Sequence, residues 1–229
     1  MNQTSKTPRD LLITIDGPAG AGKTTVSRKL AEALGYRYID TGALYRAIAL
    51  AASEKGVAAD DDASLETLCA NLDLEFTVAE NGLRLMLNGR DVTDRIRTPR
   101  ITMLASAISA RPVVRSRLLT VQRNLGASRR AVFEGRDMGT VVFPDADVKF
   151  FLYADPSIRA RRRYDELMAK GSAAPSLTSV EQDMAKRDQD DSTRRSAPLK
   201  PAEDAIHIDS SSLGIEGVVA RMIEHILDC

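Results

Sequence analysis

The apolar residues of this chain fall into short unbroken runs separated by longer stretches with helical periodicity. The first run, residues 11–15, reads LLITI. A strand without polar alternation is buried on both faces, as it is in a parallel sheet covered by helices. After a glycine-rich turn, apolar residues recur at every fourth position from Val26 to Leu34. This spacing predicts a helix that begins near the turn and ends at Gly35.

Helical patterns separate four further runs with strand character, at residues 36–39, 131–134, 148–153 and 205–209. Strands that alternate with helices are typical of an α/β fold. Residues 73–92 depart from this pattern, because apolar and polar residues alternate there around two Asn-Gly pairs, which indicate tight hairpin turns. We therefore predict a small antiparallel meander inserted into the core. A helix should follow it, with Thr98 as the cap and Pro99 at its first position.

The composition favours a folded, soluble protein. Of 229 residues, 43% are hydrophobic and 28% charged, so we expect one elaborated domain with a sizeable core and exclude global disorder. Lys and Arg number 32, as do Asp and Glu, and this balance predicts neither nucleic-acid nor membrane binding. Cys69 and Cys229 form no disulfide framework or metal signature. Without a long apolar run or a signal-peptide core, the chain is expected in the cytoplasm.

The strongest chemical signal is GPAGAGKT at residues 17–24, which fits the phosphate-loop pattern G-x-x-x-x-G-K-[ST]. Glycines let consecutive backbone N–H groups converge on phosphate oxygens, and the N-terminus of the following helix adds the positive end of its dipole. Lys23 is expected to bridge the β- and γ-phosphates of a nucleotide, and the Thr24 hydroxyl to bind Mg²⁺. The alternative is an ordinary glycine-rich turn, which the agreement of motif and context disfavours.

The phosphate loop does not identify the acceptor, because GTPases, motors and small-molecule kinases share it. The segment DTGALYR at residues 40–46 follows a predicted strand, so it should face the same crevice as Lys23. There Thr41 could donate to a phosphate and Arg46 could bind it, unless Arg46 is a solvated helix residue. In EGRDMGT at residues 134–140, the Arg-Asp pair could hold a ligand with an anion and an amino group, or form an ion pair within a turn.

A third segment, residues 179–195, carries charges that helical spacing places on one face, namely Asp183, Arg187, Asp191 and Arg194. The apolar residues Val180 and Met184 cover a single turn, so we predict a weakly anchored, mobile helix that closes over phosphates. Upstream lies a basic helix with Arg159, Arg161, Arg162 and Arg163. Both helices could instead be solvated and held by charge pairs, and nucleic-acid binding is disfavoured because no aromatic residues interleave with the arginines.

Taken together, four segments resemble the bacterial cytidylate kinases, a family of nucleoside monophosphate kinases. They are TIDGPAGAGKTT at residues 14–25, DTGALYRA at 40–47, GRDMGTVVFPDA at 135–146 and RDQDDSTRR at 187–195. The third segment is much more specific than the phosphate loop, and the likeness covers nearly the whole chain. The resemblance implies transfer of the γ-phosphoryl group of ATP to CMP or dCMP, with Mg²⁺ as cofactor.

The resemblance also implies a P-loop NTPase fold of three layers, with a five-stranded parallel sheet, a small antiparallel β insert and a helical lid. The core would comprise residues 11–60 and 125–229. Residues 61–124 would bind the nucleoside monophosphate, with the insert near residues 73–92, and residues 156–196 would form the lid. The expected partners are the small-molecule substrates ATP and CMP or dCMP, without nucleic acid or a membrane, and we expect a monomer.

Position by position, the resemblance assigns ATP binding to the phosphate loop and one arginine of the basic helix: Gly17, Pro18, Ala19, Gly20, Ala21, Gly22, Lys23, Thr24, Thr25 and Arg162. Thr24 is also the implied metal ligand. CMP binding is assigned to Thr41, Tyr45, Arg46, Ser106, Arg115, Arg136, Asp137, Arg187, Asp191 and Arg194. Four basic residues are the implied catalytic groups: Lys23, Arg136, Arg187 and Arg194.

Ser106, Arg115 and Asp137 are the implied readers of cytosine, and this assignment has a chemical logic. An ionised aspartate accepts from the exocyclic amine of cytosine, and an arginine donates to the ring acceptors. Uracil has a carbonyl in place of the amine, and the mismatch costs about 1–3 kcal/mol, or roughly five- to a hundredfold in preference. Ser106 could instead be a small residue on a packed helix face.

Two other functions remain open at the level of the sequence. A kinase for another small acceptor, such as UMP, dTMP or shikimate, would share the phosphate loop. A P-loop regulatory switch would bind and slowly hydrolyse nucleotide without an acceptor, although the chain lacks an obvious N-K-x-D motif of GTPases.

Overall fold

The fold is built from strands and helices that alternate along the chain. The computed structural model describes residues 10–79, 82–169 and 176–228. The strands in these ranges are β1 Leu12–Asp16, β2 Arg37–Asp40, β3 Leu74–Ala79, β4 Gly82–Leu87, β5 Arg90–Asp91, β6 Ala131–Gly135, β7 Val148–Tyr153 and β8 Ile206–Asp209. The helices are α1 Lys23–Leu34, α2 Thr41–Lys55, α3 Asp62–Ala70, α4 Pro99–Ile108, α5 Pro112–Gly126, α6 Pro156–Ala169, α7 Leu177–Thr193 and α8 Ile215–Asp228. A 3₁₀ turn, Arg95–Arg97, precedes α4, and a π-helical turn, Met138–Val142, follows β6.

Five parallel strands form the central sheet in the order β2-β6-β1-β7-β8, which confirms the expected α/β fold. β1 lies in the middle and pairs with β6 in the register Leu12↔Ala131 to Asp16↔Gly135. All five of its residues are buried, as the unbroken apolar run predicts. Parallel strands end at the same edge of a sheet, so the residues that follow β1, β2 and β6 meet at one edge.

Helices cover one face of this sheet, and the π-helical turn together with α5 covers the other. On the first face, Ile15 packs with Leu30 of α1 and Met222 of α8, and none of the three is exposed. Burying a side chain of this kind contributes about 1.5–3 kcal/mol. On the second face, Phe133 packs with Phe143, and their ring centroids lie 4.6 Å apart. The sheet is therefore the middle layer of three.

A further apolar cluster lies beside the sheet, among α2, α3, α4, α5 and the antiparallel strands β3–β5. These strands confirm the predicted meander. The second Asn-Gly pair turns as expected, with φ angles of 49° at Asn88 and 73° at Gly89, whereas Asn81 of the first pair lies outside the described residues. Phe76 and Leu125 contact both this cluster and the cluster around Phe133 on the second face of the sheet.

Two predicted helix boundaries are confirmed. Thr98 caps α4 by accepting a hydrogen bond from the N–H of Ile101 at 3.3 Å, and Pro99 is its first residue. At the end of α1, Gly35 has a left-handed φ of 65°, and its N–H binds the last carbonyls of the helix.

The charged helix α7 ends at Thr193, and Arg194 is its C-cap, with φ −60° and ψ 142°. The N–H of Arg194 still donates to the carbonyl of Asp190 at 3.2 Å, as in a helix. Nη1 of Arg194 lies 3.7 Å from Oδ1 of Asp191, so the expected placement of Arg194 beside Asp191 is confirmed. Beyond the helix, Nε of Arg194 donates to the carbonyl of Ala197 at 2.7 Å.

A small apolar cluster anchors α7, as its short apolar stripe indicates. Val180 and Met184 are buried against Ala160 of α6, and Ala19 of the phosphate loop packs against the same cluster. The predicted mobility of this helix stays a prediction.

Of the two cysteines in the chain, Cys69 lies among the described residues. Cys69 is buried on α3, where burial raises the pKa of its thiol. Cys229 and the first nine residues lie outside the described residues. None of the described helices has the length and apolar character needed to cross a bilayer.

We predict opposite effects of an added methyl group at two helical glycines. At Gly126, a Cβ would lie 2.5 Å from the ring of Phe143, so Gly126→Ala is expected to lower the free energy of unfolding by about 1–3 kcal/mol. At Gly217, the nearest atom belongs to Leu213 at 3.7 Å, so Gly217→Ala is expected to raise it by roughly 0.5–1 kcal/mol. Urea denaturation measures both, and equal effects would contradict the tight contact at Gly126.

Candidate active site

The phosphate loop connects β1 to α1 and packs closely against β7. Gly17 has a φ of 147°, and a Cβ there would lie 1.9 Å from the carbonyl oxygen of Leu152, so no side chain fits. Gly22, with a φ of 88°, precedes the first turn of α1. The loop therefore brings backbone N–H groups to the N-terminus of a helix, which is the geometry of a phosphate site.

Lys23 is the first residue of α1 and is buried, with its Nζ donating to the carbonyl of Pro18 at 2.7 Å. Burial lowers the pKa of this ammonium well below its ordinary value, and the positive charge of Arg136 lowers it further. The charges of Glu134 and Asp16 act in the opposite direction. Lys23 is therefore a cation that an incoming anion would stabilise.

Thr24 and Glu134 form a contact between the phosphate loop and β6. The hydroxyl of Thr24 donates to Oε1 of Glu134 at 2.8 Å, while the Thr24 residue remains exposed. Burial is the main cause that raises the pKa of the Glu134 carboxyl, and the charge of Asp40 adds to it. Because the Thr24 proton is directed to Glu134, the lone pairs of the hydroxyl oxygen remain available to a cation.

The start of α2 positions two of the residues expected to bind CMP. Asp40 caps the helix by accepting from the N–H of Ala43 at 3.1 Å, and its other oxygen pairs with Nη2 of Arg46 at 2.7 Å. Arg46 is therefore held at the sheet edge rather than free in solvent. Thr41 is buried, and its hydroxyl donates to the carbonyl of Glu134 at 2.6 Å, so its proton is already engaged.

A buried group of charges joins α5, the loop after β6 and the C-terminal end of α7. Arg115 and Asp137 form a buried ion pair, and Arg194 Nη2 lies 3.7 Å from Oδ1 of Asp137. Burial raises the pKa of Asp137, and the charges of Arg115 and Arg194 oppose this rise. The Arg115 guanidinium lies 5.7 Å from the ring centroid of Tyr45, whose pKa burial raises to about 12.

Arg136 and Arg187 add positive charge beside Lys23 of the phosphate loop. Nε of Arg136 donates to Oδ2 of Asp191 at 2.9 Å. Nε of Arg187 is buried and has no hydrogen-bond partner in the described part of the chain. Burial and, after it, the charge of Arg136 lower the pKa of Arg187 to about 10. Lys23, Arg136 and Arg187 therefore form a cluster of cations.

Asp16 is a buried carboxylate to which the sequence assigned no role. It ends β1, and its two oxygens accept from the N–H groups of Met138 at 2.9 Å and Gly139 at 2.8 Å. Burial raises the pKa of the carboxyl to about 6, against the lowering effect of these two N–H groups. Charged residues at or next to the end of a buried strand, Asp16 in β1 and Glu134 in β6, are the signal in the sequence that could have found both.

Two of the expected residues are connected to the site through an intervening residue. Ser106 lies on α4 and is linked to Arg115 through Ser109, which donates to the Ser106 carbonyl at 2.8 Å and accepts from Arg115 at 3.2 Å. Arg162 donates to the carbonyl of Ser210 at 2.6 Å, and the Ser210 hydroxyl donates to the carbonyl of Ala21 at 3.0 Å. Arg162 thus reaches the phosphate loop through one intervening residue.

Two further arginines of α6, Arg159 and Arg163, interact with the phosphate loop and with Arg187, respectively. Nη1 of Arg159 donates to the Ala19 carbonyl at 3.1 Å and to Asp188 of α7 at 2.6 Å. The charge of Arg163 contributes to the lowered pKa of Arg187. A run of four arginines in one helix does not reveal which members face the site, since this depends on how α6 packs.

Asp16 is expected to make the stability of the protein depend on pH. Its carboxyl has a pKa of about 6 when folded against an ordinary value of 3.8, so the folded chain retains a proton that the unfolded chain loses. The resulting stabilisation is complete below the unfolded pKa and is lost as the pH rises through about 6. From about pH 5 to about pH 8, the wild type should lose roughly 1 kcal/mol more unfolding free energy than Asp16→Asn. Urea denaturation of both proteins at each pH measures this, and parallel pH profiles would contradict it.

The chain matches the protein family described as cytidylate kinase over residues 13–228. It is 55% identical over 214 residues to the cytidylate kinase of Geobacter sulfurreducens, covering 93% of this chain and 91% of that one. It is 49% identical over 216 residues to the cytidylate kinase of Syntrophotalea carbinolica, covering 94% and 92%. An uncharacterized protein from Eubacterium ventriosum has the same fold, with a TM-score of 0.54, 13% identity and coverage of 96% and 99%. The chain belongs to the cytidylate kinase family.

Proposed function

We propose that this chain transfers the γ-phosphoryl group of ATP to CMP or dCMP, giving ADP and CDP or dCDP. The observation that carries the proposal is the convergence of Lys23, Arg136 and Arg187 beside the buried Arg115–Asp137 pair. The first group suits phosphates from two nucleotides, and the second suits a base with both donor and acceptor groups. Membership of the cytidylate kinase family supports the same reaction.

On the donor side, the proposal assigns the triphosphate of ATP to residues 17–25. Backbone N–H groups of the loop bind its oxygens, and the ammonium of Lys23 neutralises charge between the β- and γ-phosphates. Thr25 lies exposed at the start of α1, where it can contact a phosphate or the nucleoside. Arg162 supports the loop from the side of β8 through Ser210.

Mg²⁺ fits the donor side through an oxygen ligand. Thr24 would hold it together with phosphate oxygens and water, because Mg²⁺ is bound in such sites through few protein ligands. The described residues contain no group of three or more His, Cys, Asp or Glu able to hold a metal. Glu134 would orient the Thr24 hydroxyl through the hydrogen bond between them. When bound, the ion neutralises charge on the phosphates.

On the acceptor side, the proposal assigns the CMP phosphate to Arg46, Arg136 and Arg194, with Thr41 and Tyr45 beside them. Arg46 and Arg136 are each held by one carboxylate, Asp40 and Asp191, so both guanidinium groups retain free donors. Asp191 and Arg187 would face the ribose from the lid. This assignment requires the Thr41 hydroxyl to accept, or to turn from the Glu134 carbonyl that it now binds.

Cytosine is assigned to Asp137 and Arg115, with Ser106 at the margin. The Asp137 carboxylate keeps lone pairs beyond those used by the arginines, so it can accept from the amine of cytosine. Arg115 can donate to the ring acceptors. Uracil would present a carbonyl to the same carboxylate, which is the basis of the expected preference.

The proposed mechanism is positioning and charge neutralisation. The CMP phosphate is already anionic near neutral pH, so the site needs no strong general base. Lys23 and the arginines stabilise charge in the transition state, and their burial excludes the water that would hydrolyse ATP. We assign residues 11–60 and 125–229 to the core, 61–124 to CMP binding and 156–196 to the lid, and propose a cytoplasmic monomer without nucleic-acid or membrane partners.

A panel of acceptors tests the proposed function. With ATP and Mg²⁺, CMP and dCMP are expected to accelerate ADP release strongly, and UMP, dTMP and shikimate weakly, in a coupled ADP assay. Faster release with another acceptor would assign a different kinase activity. Release that no acceptor changes would favour a regulatory switch.

Lys23→Ala is expected to reduce kcat by at least about a hundredfold, because it removes charge stabilisation in the transition state. Its free energy of unfolding should stay equal or rise, since the buried ammonium is unfavourable without an anion. Lys29→Ala is the control, because Lys29 lies on the same helix but pairs with Glu216 at the surface. Kinetics and urea denaturation of both variants measure these effects, and near-normal turnover of Lys23→Ala would refute the assigned role.

Asp137→Asn is expected to lower the preference for CMP over UMP by roughly five- to a hundredfold, because its amide group can donate to the carbonyl of uracil. The ratio of kcat/KM for the two acceptors measures this. Asp145→Asn, at an exposed residue in the turn before β7, serves as the control and should leave the ratio unchanged. An unchanged ratio for Asp137→Asn would remove this residue from base recognition.

A further inference from the structure

The loop that carries Arg136 and Asp137 has a defined backbone but few internal bonds. β6 ends at Gly135, and the π-helical turn begins at Met138. Within the turn, the Asp137 carbonyl accepts from Val141 at 3.0 Å and from Val142 at 3.2 Å. The first N–H groups of a helical turn have no partner inside it, so another part of the chain must bind them.

Asp16, at the end of the neighbouring strand β1, binds these N–H groups. One oxygen accepts from Met138 and the other from Gly139, so a single carboxylate binds two consecutive N–H groups directly after Arg136 and Asp137. Its side chain is buried, with 4% of the residue exposed. The turn is thereby fixed at its N-terminal end, where the two side chains leave the backbone.

Close packing leaves this turn little freedom on its other sides. A Cβ at Gly135 would lie 2.7 Å from the side chain of Met138, and a Cβ at Gly139 would lie 3.1 Å from Oγ1 of Thr14. The side-chain directions of Arg136 and Asp137 therefore follow from the backbone that Asp16 holds.

Asp16 also immediately precedes Gly17, the first residue of the phosphate loop. We propose that Asp16 is a positioning residue for the acceptor site, which sets the affinity for CMP and the choice of cytosine by fixing Arg136 and Asp137. The inference rests on the proposed function, since it assigns Arg136 to the acceptor phosphate and Asp137 to the base. It adds that Asp16 of β1, the strand that leads into the ATP-binding loop, controls the recognition of CMP.

An aspartate suits this role better than an uncharged residue. Two N–H groups need two acceptor oxygens, and a carboxyl group offers both at this length, whereas an amide offers one. In Asp16→Asn, the amide nitrogen would face one N–H group, so the turn would lose a partner and shift.

Asp16→Asn tests the proposal in steady-state kinetics with CMP, UMP and ATP. We expect KM for CMP to rise about tenfold and the CMP preference over UMP to fall about tenfold. KM for ATP should stay within about twofold, because the phosphate loop keeps its own contacts to Leu152 and Ser210.

Asp147→Asn is the matched control, because Asp147, just before β7, binds the opposite end of β1. Oδ2 of Asp147 accepts from the N–H of Leu12 at 2.6 Å and pairs with Arg129, far from the carboxyl edge of the sheet. Like Asp16→Asn, this substitution weakens a hydrogen bond between a carboxylate and a backbone N–H group. It should lower Tm without changing either KM or the CMP preference.

A second variant guards against poor folding of Asp16→Asn. Gly139→Ala leaves the carboxylate in place but pushes the turn away from Thr14, so it should raise KM for CMP in the same selective way. Unchanged KM for CMP and unchanged preference in both variants would overturn the proposal, as would equal rises in KM for CMP and ATP. If the wild type shows no CMP-dependent ADP release, the proposed function itself fails, and this outcome is distinct from an effect of either variant.

Discussion

Repulsion among the cations of the candidate site is the constraint on which it depends. The charge of Arg136 lowers the pKa of Lys23 and that of Arg187, and the burial of Lys23 removes the water that would screen its charge. Nearby carboxylates offset this repulsion in part, since Asp191 binds Arg136 and the charges of Glu134 and Asp16 act on Lys23. Such a cluster is unfavourable by itself and becomes favourable when phosphate charge enters it. The unfavourable electrostatic free energy of this cluster is therefore reduced when substrate phosphates bind.

The parallel sheet is what brings these charges together. β1 and β6 are neighbours in the register that places Asp16 beside Gly135, so the phosphate loop and the Arg136-Asp137 loop leave the sheet side by side. β2 lies on the other side of β6 and delivers Asp40, which holds Arg46. Arg187 and Asp191 come from α7, which contacts the phosphate loop through a small apolar cluster. Three separate segments thus meet because strand order and direction place their ends at one edge.

Local patterns predicted most of the fold, and the phosphate-loop motif at residues 17–24 predicted the part of the candidate site around Lys23. The unbroken run before Gly17, the Asn-Gly turn at Asn88 and the cap at Thr98 each act within a few residues, so the sequence specifies them directly. Asp16 was missed because its partners lie 122 and 123 positions away, and only the strand order shows that they meet. The charges of α7 were placed correctly because Arg194, although it follows the last helical residue, still lies beside Asp191 as helical spacing requires.

The β insert has a consequence for how the molecule unfolds. Phe76, on its first strand, and Leu125, on α5, each contact both the apolar cluster around α2 and the one on the central sheet. A side chain shared by two clusters makes the loss of either one weaken the other. The region of α2–α5 and the β insert is therefore not an independent folding unit, and its unfolding is thermodynamically coupled to that of the sheet.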